Sequence, residues 1–253
     1  METINESMAP NGAIIEAETY EPVAAETICL TKPRSAAAEQ YRVLRYRLEV
    51  LARSGVRALA FTSAQSGEGK TTTAVNAALA LGRGGRNKVV LVDADLRRPA
   101  VHKLLGLRAR EGLCDVVAGK AALSGCLWRF GSDELYVLPA GNVPDDLAVT
   151  LYDPRLASTL AELRERFDFV LLDAPPVLRL ADVPTLCRDL DGALLVVRAG
   201  VTSRELVAAA IDSLYGIRVH GIVLNDVDPS ATVPLRLPAS SEPAPKALPA
   251  TGS

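Results

Sequence analysis

One lysine and three aspartates of this chain stand in contexts suited to phosphate chemistry. Lys70 belongs to Ala64-Gln65-Ser66-Gly67-Glu68-Gly69-Lys70-Thr71-Thr72. The run before it, Leu59-Ala60-Phe61-Thr62, is apolar and strand-like; the run after it, Thr73 to Leu81, is helix-like. Strand, glycine-bearing turn, Gly-Lys-Thr and helix form the context of a phosphate-binding loop. Gly67 and Gly69 let the backbone wrap an anion with its N–H groups inward, and the helix N-terminus adds partial positive charge. Ser66 to Thr72 would thus bind the phosphates of a nucleoside triphosphate. Lys70 would reach the β- and γ-phosphates, and the Thr71 hydroxyl would ligate Mg²⁺. Ala64 opens the loop where the usual pattern has Gly, a mild departure.

Two further apolar runs end in acid. Leu91-Val92-Asp93-Ala94-Asp95 puts Asp93 and Asp95 at or just past the end of a buried strand, and Val170-Leu171-Leu172-Asp173 does the same for Asp173. In open α/β sheets, ligands sit outside such strand ends. Asp173 would hold Mg²⁺ directly or through water, because hard cations prefer carboxylate oxygen. Of Asp93 and Asp95, one can share that metal work; the other can take a proton from an attacking hydroxyl or orient a water. The plainer alternative is that these aspartates cap the helices that follow them.

The elements that must position these groups alternate along the 253 residues. Strands are expected near 58–63, 88–92, 134–138, 168–173, 192–197 and 217–224. Helices are expected over 69–82, 153–166, 181–188 and 203–215, with helical pieces across 99–119. This is the pattern of a mainly parallel sheet flanked by helices on both faces. A further helix follows Pro33, with Ser35 as its N-cap and Tyr41, Leu44, Leu48 and Leu51 on one face. The expected organisation is an acidic irregular leader over 1–33, one phosphate-binding α/β domain over 34–228, and a disordered Pro/Ala/Ser tail over 229–253. A net charge of −2 gives no basic field for nucleic acid. The apolar runs are strand-sized, far short of the roughly 18 residues of a membrane span. The first thirty residues lack Lys and Arg, which argues against a secretory signal. Cys29, Cys114, Cys126 and Cys187 are scattered without metal-like spacing, consistent with a reducing cytosol. Two histidines, His102 and His220, leave little material for a zinc site.

Taken together, the loop, the Leu91 to Pro99 segment and Leu171-Leu172-Asp173-Ala174-Pro175-Pro176 resemble the bacterial tyrosine kinase family, over roughly residues 35–227. The stretches Gly112 to Gly119, Leu138 to Gly141 and Asp191 to Arg198 match as well. The resemblance implies a P-loop ATPase fold and an ATP- and Mg²⁺-dependent protein-tyrosine kinase that controls capsular or extracellular polysaccharide synthesis and export. It implies a homo-oligomer, and recruitment from the cytoplasm to the inner face of the membrane by a transmembrane polysaccharide co-polymerase adaptor. Glu39, Arg42 and Arg45 reproduce the family's Glu-x-x-Arg-x-x-Arg oligomer interface, along a helix face about 120° wide; by spacing alone they could equally form intrahelical pairs, Glu39 with Arg42 and Arg45 with Glu49. Asn225 would contact the adenine, or close a strand as a turn residue. Two departures stand out. The usual terminal tyrosine cluster is missing, since no tyrosine follows Tyr215, and Asn142 to Thr150 lacks the expected Pro-Pro-Asn-Pro run. Two alternatives to the kinase follow. One is an ATP-dependent assembly switch of the same machinery that phosphorylates no tyrosine. The other is a partition-type P-loop ATPase, disfavoured by Gln65 where that group carries a second lysine. Among tyrosines outside the tail, Tyr20 in the leader is the expected acceptor.

Overall fold

A computed structural model describes residues 15–17, 23–108, 110–130, 133–179 and 182–228. Eight strands make one sheet: β1 (Ile15–Ala17), β2 (Ala58–Ser63), β3 (Val89–Asp93), β4 (Trp128–Phe130), β5 (Leu135–Leu138), β6 (Phe169–Asp173), β7 (Gly192–Arg198) and β8 (Val219–Asn225). Their order across the sheet is β1-β4-β5-β3-β6-β2-β7-β8. Every neighbouring pair is parallel except β4 with β5. The helices are α1 (Ile28–Thr31), α2 (Ala36–Arg53), α3 (Lys70–Gly82), α4 (Val101–Leu104), α5 (Leu113–Val117), α6 (Leu123–Cys126), α7 (Ala148–Leu151), α8 (Pro154–Arg166), α9 (Asp182–Cys187) and α10 (Arg204–Ser213).

Two cores, one on each face, explain why the central strands read as unbroken apolar runs. Successive strand side chains point to opposite faces. Ala58, Ala60, Val90, Val92, Val170, Leu172, Ala193 and Leu195 pack into the core covered by α5, α8 and α9. Their neighbours Leu59, Phe61, Val89, Leu91, Phe169, Leu171, Leu194 and Val196 pack into the core covered by α2 and α3. With both faces covered, alternation of apolar and polar residues has no reason to appear. The edge strand β8 is different: Ile222 and Leu224 are exposed.

Helix α2 starts where the sequence places it, with the Ser35 hydroxyl accepting from the Ala38 amide at 3.1 Å. Its Leu48 is buried, and Tyr41, Leu44 and Leu51 pack on the same core. Helix α3 is apolar nearly all round because it lies between sheet and α2, so its sequence shows no polar face.

Short elements depart from expectation. The segment read as an irregular leader contributes β1, paired with β4, and α1, where the Cys29 amide donates to Asn76 Oδ1 of α3 at 2.9 Å. Strands β1 and β4 have three residues each and α1, α6 and α7 four each, too short for any periodicity to register. Tyr215, expected inside a helix, lies in the turn after α10. Tyr20 and the tail lie outside the described residues.

Candidate active site

Parallel pairing lines up the strand ends that carry the chemistry. Asp93 and Asp173 are direct partners across β3 and β6, and Phe61 pairs with Asp173 across β2 and β6. The loop after β2 therefore turns over both carboxylates. Gly69, its last residue, caps α3 in the left-handed region at φ 86°, and a Cβ there would collide with Asn225 Nδ2. Lys70 follows as the first residue of α3. Its Nζ lies 2.6 Å from Asp95 Oδ2, 3.5 Å from Asp173 Oδ1 and 3.2 Å from the Thr71 hydroxyl. The loop and the three aspartates named from the sequence thus meet at one place.

Other assignments take a different shape. Glu68 is buried and serves the loop itself: its carboxylate accepts from the Gln65 amide at 2.9 Å and from the Thr202 hydroxyl. Asn225, at the end of β8, donates to the Glu68 carbonyl at 3.0 Å. Both residues border the expected nucleotide position, and both hold the backbone that would bind it. Thr202 is a residue that the sequence did not reveal. It precedes the Ser203 cap of α10, and nothing in its neighbourhood pointed across the fold to the loop. Ser66 is exposed, with Thr71 and Thr72 half-buried.

The aspartates are not equivalent. Asp93 Oδ2 accepts from the Ala100 and Val101 amides, both at 3.0 Å, so it caps α4 as the plainer reading has it. Asp95 binds Lys70 with one oxygen and the Arg98 amide with the other, at 3.3 Å. Asp173 gives one oxygen to Lys70. Asp93 Oδ1 and Asp173 Oδ2 are buried with no hydrogen-bond partner among the described residues. Orphaned carboxylate oxygens are costly in a protein interior unless something charged completes them.

Burial pushes the Asp93 carboxyl up to about 8, helped by Asp173, against the opposing pull of the Val101 amide. Burial also raises Asp173, to about 6, with Lys70 pulling it back. Burial alone would lower Lys70, but Asp173 and Asp95 outweigh it and hold the ammonium above its ordinary value. Asp95 and Asp173 share one ammonium, leaving a deficit of positive charge between them. Among the described residues, no three acidic, histidine or cysteine side chains form a metal cage. That suits Mg²⁺, which takes one or two carboxylates and completes its shell with phosphate oxygens and water. The unpartnered Asp173 Oδ2 beside Thr71 fits such an ion.

The interface candidates lie on α2, away from the loop. Glu39 pairs with Arg42 on the exposed face, and Arg42 also donates to the Pro33 carbonyl at 2.6 Å. Arg45 reaches Glu49 at 2.9 Å. Within one chain these are the intrahelical pairs that the spacing allowed. Arg45 does more: its Nη1 donates to the Ala80 carbonyl at 3.1 Å and the Arg83 carbonyl at 3.4 Å, closing the C-terminal end of α3. Among the described residues no helix is long and apolar enough to cross a membrane.

Comparison with known proteins agrees with this geometry. Residues 56–205 match the family model described as an AAA domain. The tyrosine-protein kinase YwqD of Bacillus subtilis (strain 168) is 35% identical over 188 residues, covering 74% of this chain and 79% of the relative. The tyrosine-protein kinase wzc of Salmonella typhi is 29% identical over 210 residues, 82% of this chain, which spans only 29% of that longer protein. Among solved structures, the kinase domain of the Escherichia coli tyrosine kinase ETK superposes with TM-score 0.76 at 26% identity, over 90% of this chain and 93% of that one. The septum site-determining protein MinD of Pyrococcus horikoshii OT3, solved with Mg-ADP, reaches TM-score 0.55 at 28% identity, over 67% and 70% of the two chains. With an AAA-type P-loop domain over more than half its length and this likeness to YwqD, the chain belongs to the bacterial tyrosine kinase family.

Proposed function

We propose that the chain transfers the γ-phosphoryl group of ATP to tyrosine, and does so in the control of capsular or extracellular polysaccharide synthesis. The observation that carries the chemistry is the buried Lys70 ammonium held between Asp95 and Asp173 at the mouth of the loop. Without nucleotide, Lys70 neutralises these carboxylates. When the triphosphate enters, the loop amides and the α3 N-terminus bind its oxygens, and Lys70 turns to the β- and γ-phosphates. Mg²⁺, held by Thr71 and Asp173, would supply charge neutralisation across those same phosphates. Asp95, released from Lys70, accepts the phenolic proton as the tyrosine oxygen bonds to Pγ. The bond from Pγ to the β-phosphate oxygen breaks, and ADP leaves with that electron pair. Asp93, held near neutrality and committed to the α4 amides, acts as a positioning residue. The ring of adenine would lie near Asn225, whose carbonyl oxygen is free of the Glu68 contact. Glu39, Arg42 and Arg45 would exchange their intrahelical partners for those of a second copy on assembly. Recruitment to the inner face of the membrane would fall to a transmembrane co-polymerase adaptor.

One observation favours a second reading: residues 216–253 contain no tyrosine that could serve as an acceptor. An assembly switch would use the same site to hydrolyse ATP with water as acceptor. The partition-type alternative still lacks its second lysine, because that position is Gln65, exposed at the loop. Measuring ATP consumed and phosphotyrosine formed on an added tyrosine-containing polymer separates the readings. The kinase yields phosphotyrosine on polymer or chain; the switch consumes ATP and yields none.

A further inference from the structure

One tyrosine of the described residues borders a second charged region. Three tyrosines are exposed among the described residues: Tyr46 (51%), Tyr152 (68%) and Tyr215 (95%). Tyr136 is buried and Tyr41 half-buried. Tyr152 precedes Asp153, which is already paired with Arg155, and Tyr215 follows Asp212 by three residues. Tyr46 borders an open hollow whose other walls are Arg42, Arg45, Glu49, Arg83 and Arg86. Arg42, Tyr46 and Glu49 fall on one face of α2 by their i, i+3 and i+4 spacing. Arg83 and Arg86 come from the turn after α3, and both are exposed. Four guanidinium groups thus face one carboxylate, and that carboxylate is already bonded to Arg45 and Asn87. Arg42 is paired with Glu39 and Arg45 with Glu49, whereas the Arg83 and Arg86 side chains have no hydrogen-bond or ion-pair partner among the described residues, so the uncompensated positive charge is theirs.

We propose that Tyr46 is a phosphorylation site of this chain and that Arg83 and Arg86 receive its phosphate; the proposal rests on the kinase reading above. A phosphotyrosine brings nearly two negative charges and three strong acceptor oxygens. Guanidinium forks bind such oxygens two at a time. The phosphate comes from a second copy. Lys70 opens α3 and the hollow lies at its other end, so 13 residues at 1.5 Å each put Tyr46 about 20 Å from its own P-loop. In the transfer the Tyr46 oxygen bonds to Pγ of ATP held by the neighbouring copy. The Pγ–O bond to the β-phosphate breaks, ADP departs, and the phenolic proton passes to that copy's Asp95.

The test mixes the full parent chain with a tagged Lys70→Met chain, as acceptor only, in ATP and Mg²⁺, and maps every tyrosine by mass spectrometry. Phosphate on Tyr46 of the tagged chain is the expected result. Phosphorylation should also raise Tm by about 2–4 °C, a gain lost in an Arg83→Gln, Arg86→Gln double variant, which lies outside the catalytic groups. Phosphotyrosine confined to Tyr20, Tyr152 or Tyr215 would overturn the site while leaving the kinase reading standing. Consumption of ATP with no phosphotyrosine anywhere would overturn both. Phosphate on Tyr46 with the same Tm gain in the double variant would overturn the role given to the arginines.

Discussion

The two ends of α3 carry opposite electrostatic designs. At its start, one lysine is buried with two aspartates, and two carboxylate oxygens nearby have no partner among the described residues. At its finish, four arginines and one glutamate line an open hollow, with Arg83 and Arg86 exposed. Charge at the first end is shielded from water, so each group there matters greatly and tolerates no casual change. At the second end, water and salt screen the excess, and single contacts are worth little. Chemistry belongs where charges cannot be screened; recognition and regulation suit a surface that a partner or a phosphate can adjust. Arg45 joins the two, lying in the hollow while it closes the helix that presents Lys70.

This contrast predicts a descending series of effects. Asp173→Asn should cut ATP turnover by about a hundredfold to a thousandfold, because it removes charge from a preorganised, water-excluded site. Steady-state rates beside a thermal melt check it: turnover within a few-fold of the parent would remove Asp173 from the site.

The next effect is on stability and depends on pH. Asp93 titrates at about 8 in the folded chain against an ordinary 3.8, so between those values the folded state holds a proton that the unfolded state has lost. Stability from this group is complete below pH 4 and is lost as pH rises towards 8. Asp93→Asn does not titrate. Its advantage over the parent should be near zero at pH 4 and grow to the order of a few kcal/mol by pH 8. Asp173 also titrates in that window, near 6, and because its charge helps to raise Asp93 the two are coupled; the prediction is therefore the sign and growth of the difference with pH. Denaturant melts at the two pH values measure this, and a difference that shrinks as pH rises would contradict it.

Arg45→Ala should come third. It strips two carbonyls at the end of α3 of their donor and the helix dipole of a compensating cation, for about 1–2 kcal/mol. Arg42→Ala, losing an exposed pair with Glu39, should cost about 0–1 kcal/mol. A double variant with Glu39→Ala tells which part belongs to the pair. Equal losses at Arg42 and Arg45 would erase the distinction between screened and anchoring arginines.

How much of this was legible in the sequence depends on the length of the signal. The alternating long elements were, because β2, β3, β6 and β7 each carry four or more consecutive apolar residues and end in turns or acids. The lysine and aspartates were also legible, since the aspartates sit at or just past strand ends, the lysine follows the loop from another, and parallel pairing brings such ends together. Strands β1 and β4 were not, being three residues long, and neither was α1 in a segment that reads as acidic and irregular. Side-chain partnerships across the fold left no local trace. Glu68 looked like a phosphate-loop residue and proves to brace that loop against Thr202; Arg45 looked like an interface residue and also holds Ala80 and Arg83. A sequence shows residue types and spacing, whereas these contacts depend on which distant element packs alongside.

The central claim is that Lys70, clamped by Asp95 and Asp173, is the group that nucleotide phosphates draw away. Calorimetric titration of the parent and of Lys70→Met with ADP and Mg²⁺ tests it most directly. The parent should bind with an affinity that falls on removal of Mg²⁺, and Lys70→Met should bind at least tenfold more weakly, for a loss of about 1.4 kcal/mol or more. Equal affinities in the two proteins, each folded by its thermal melt, would contradict the account.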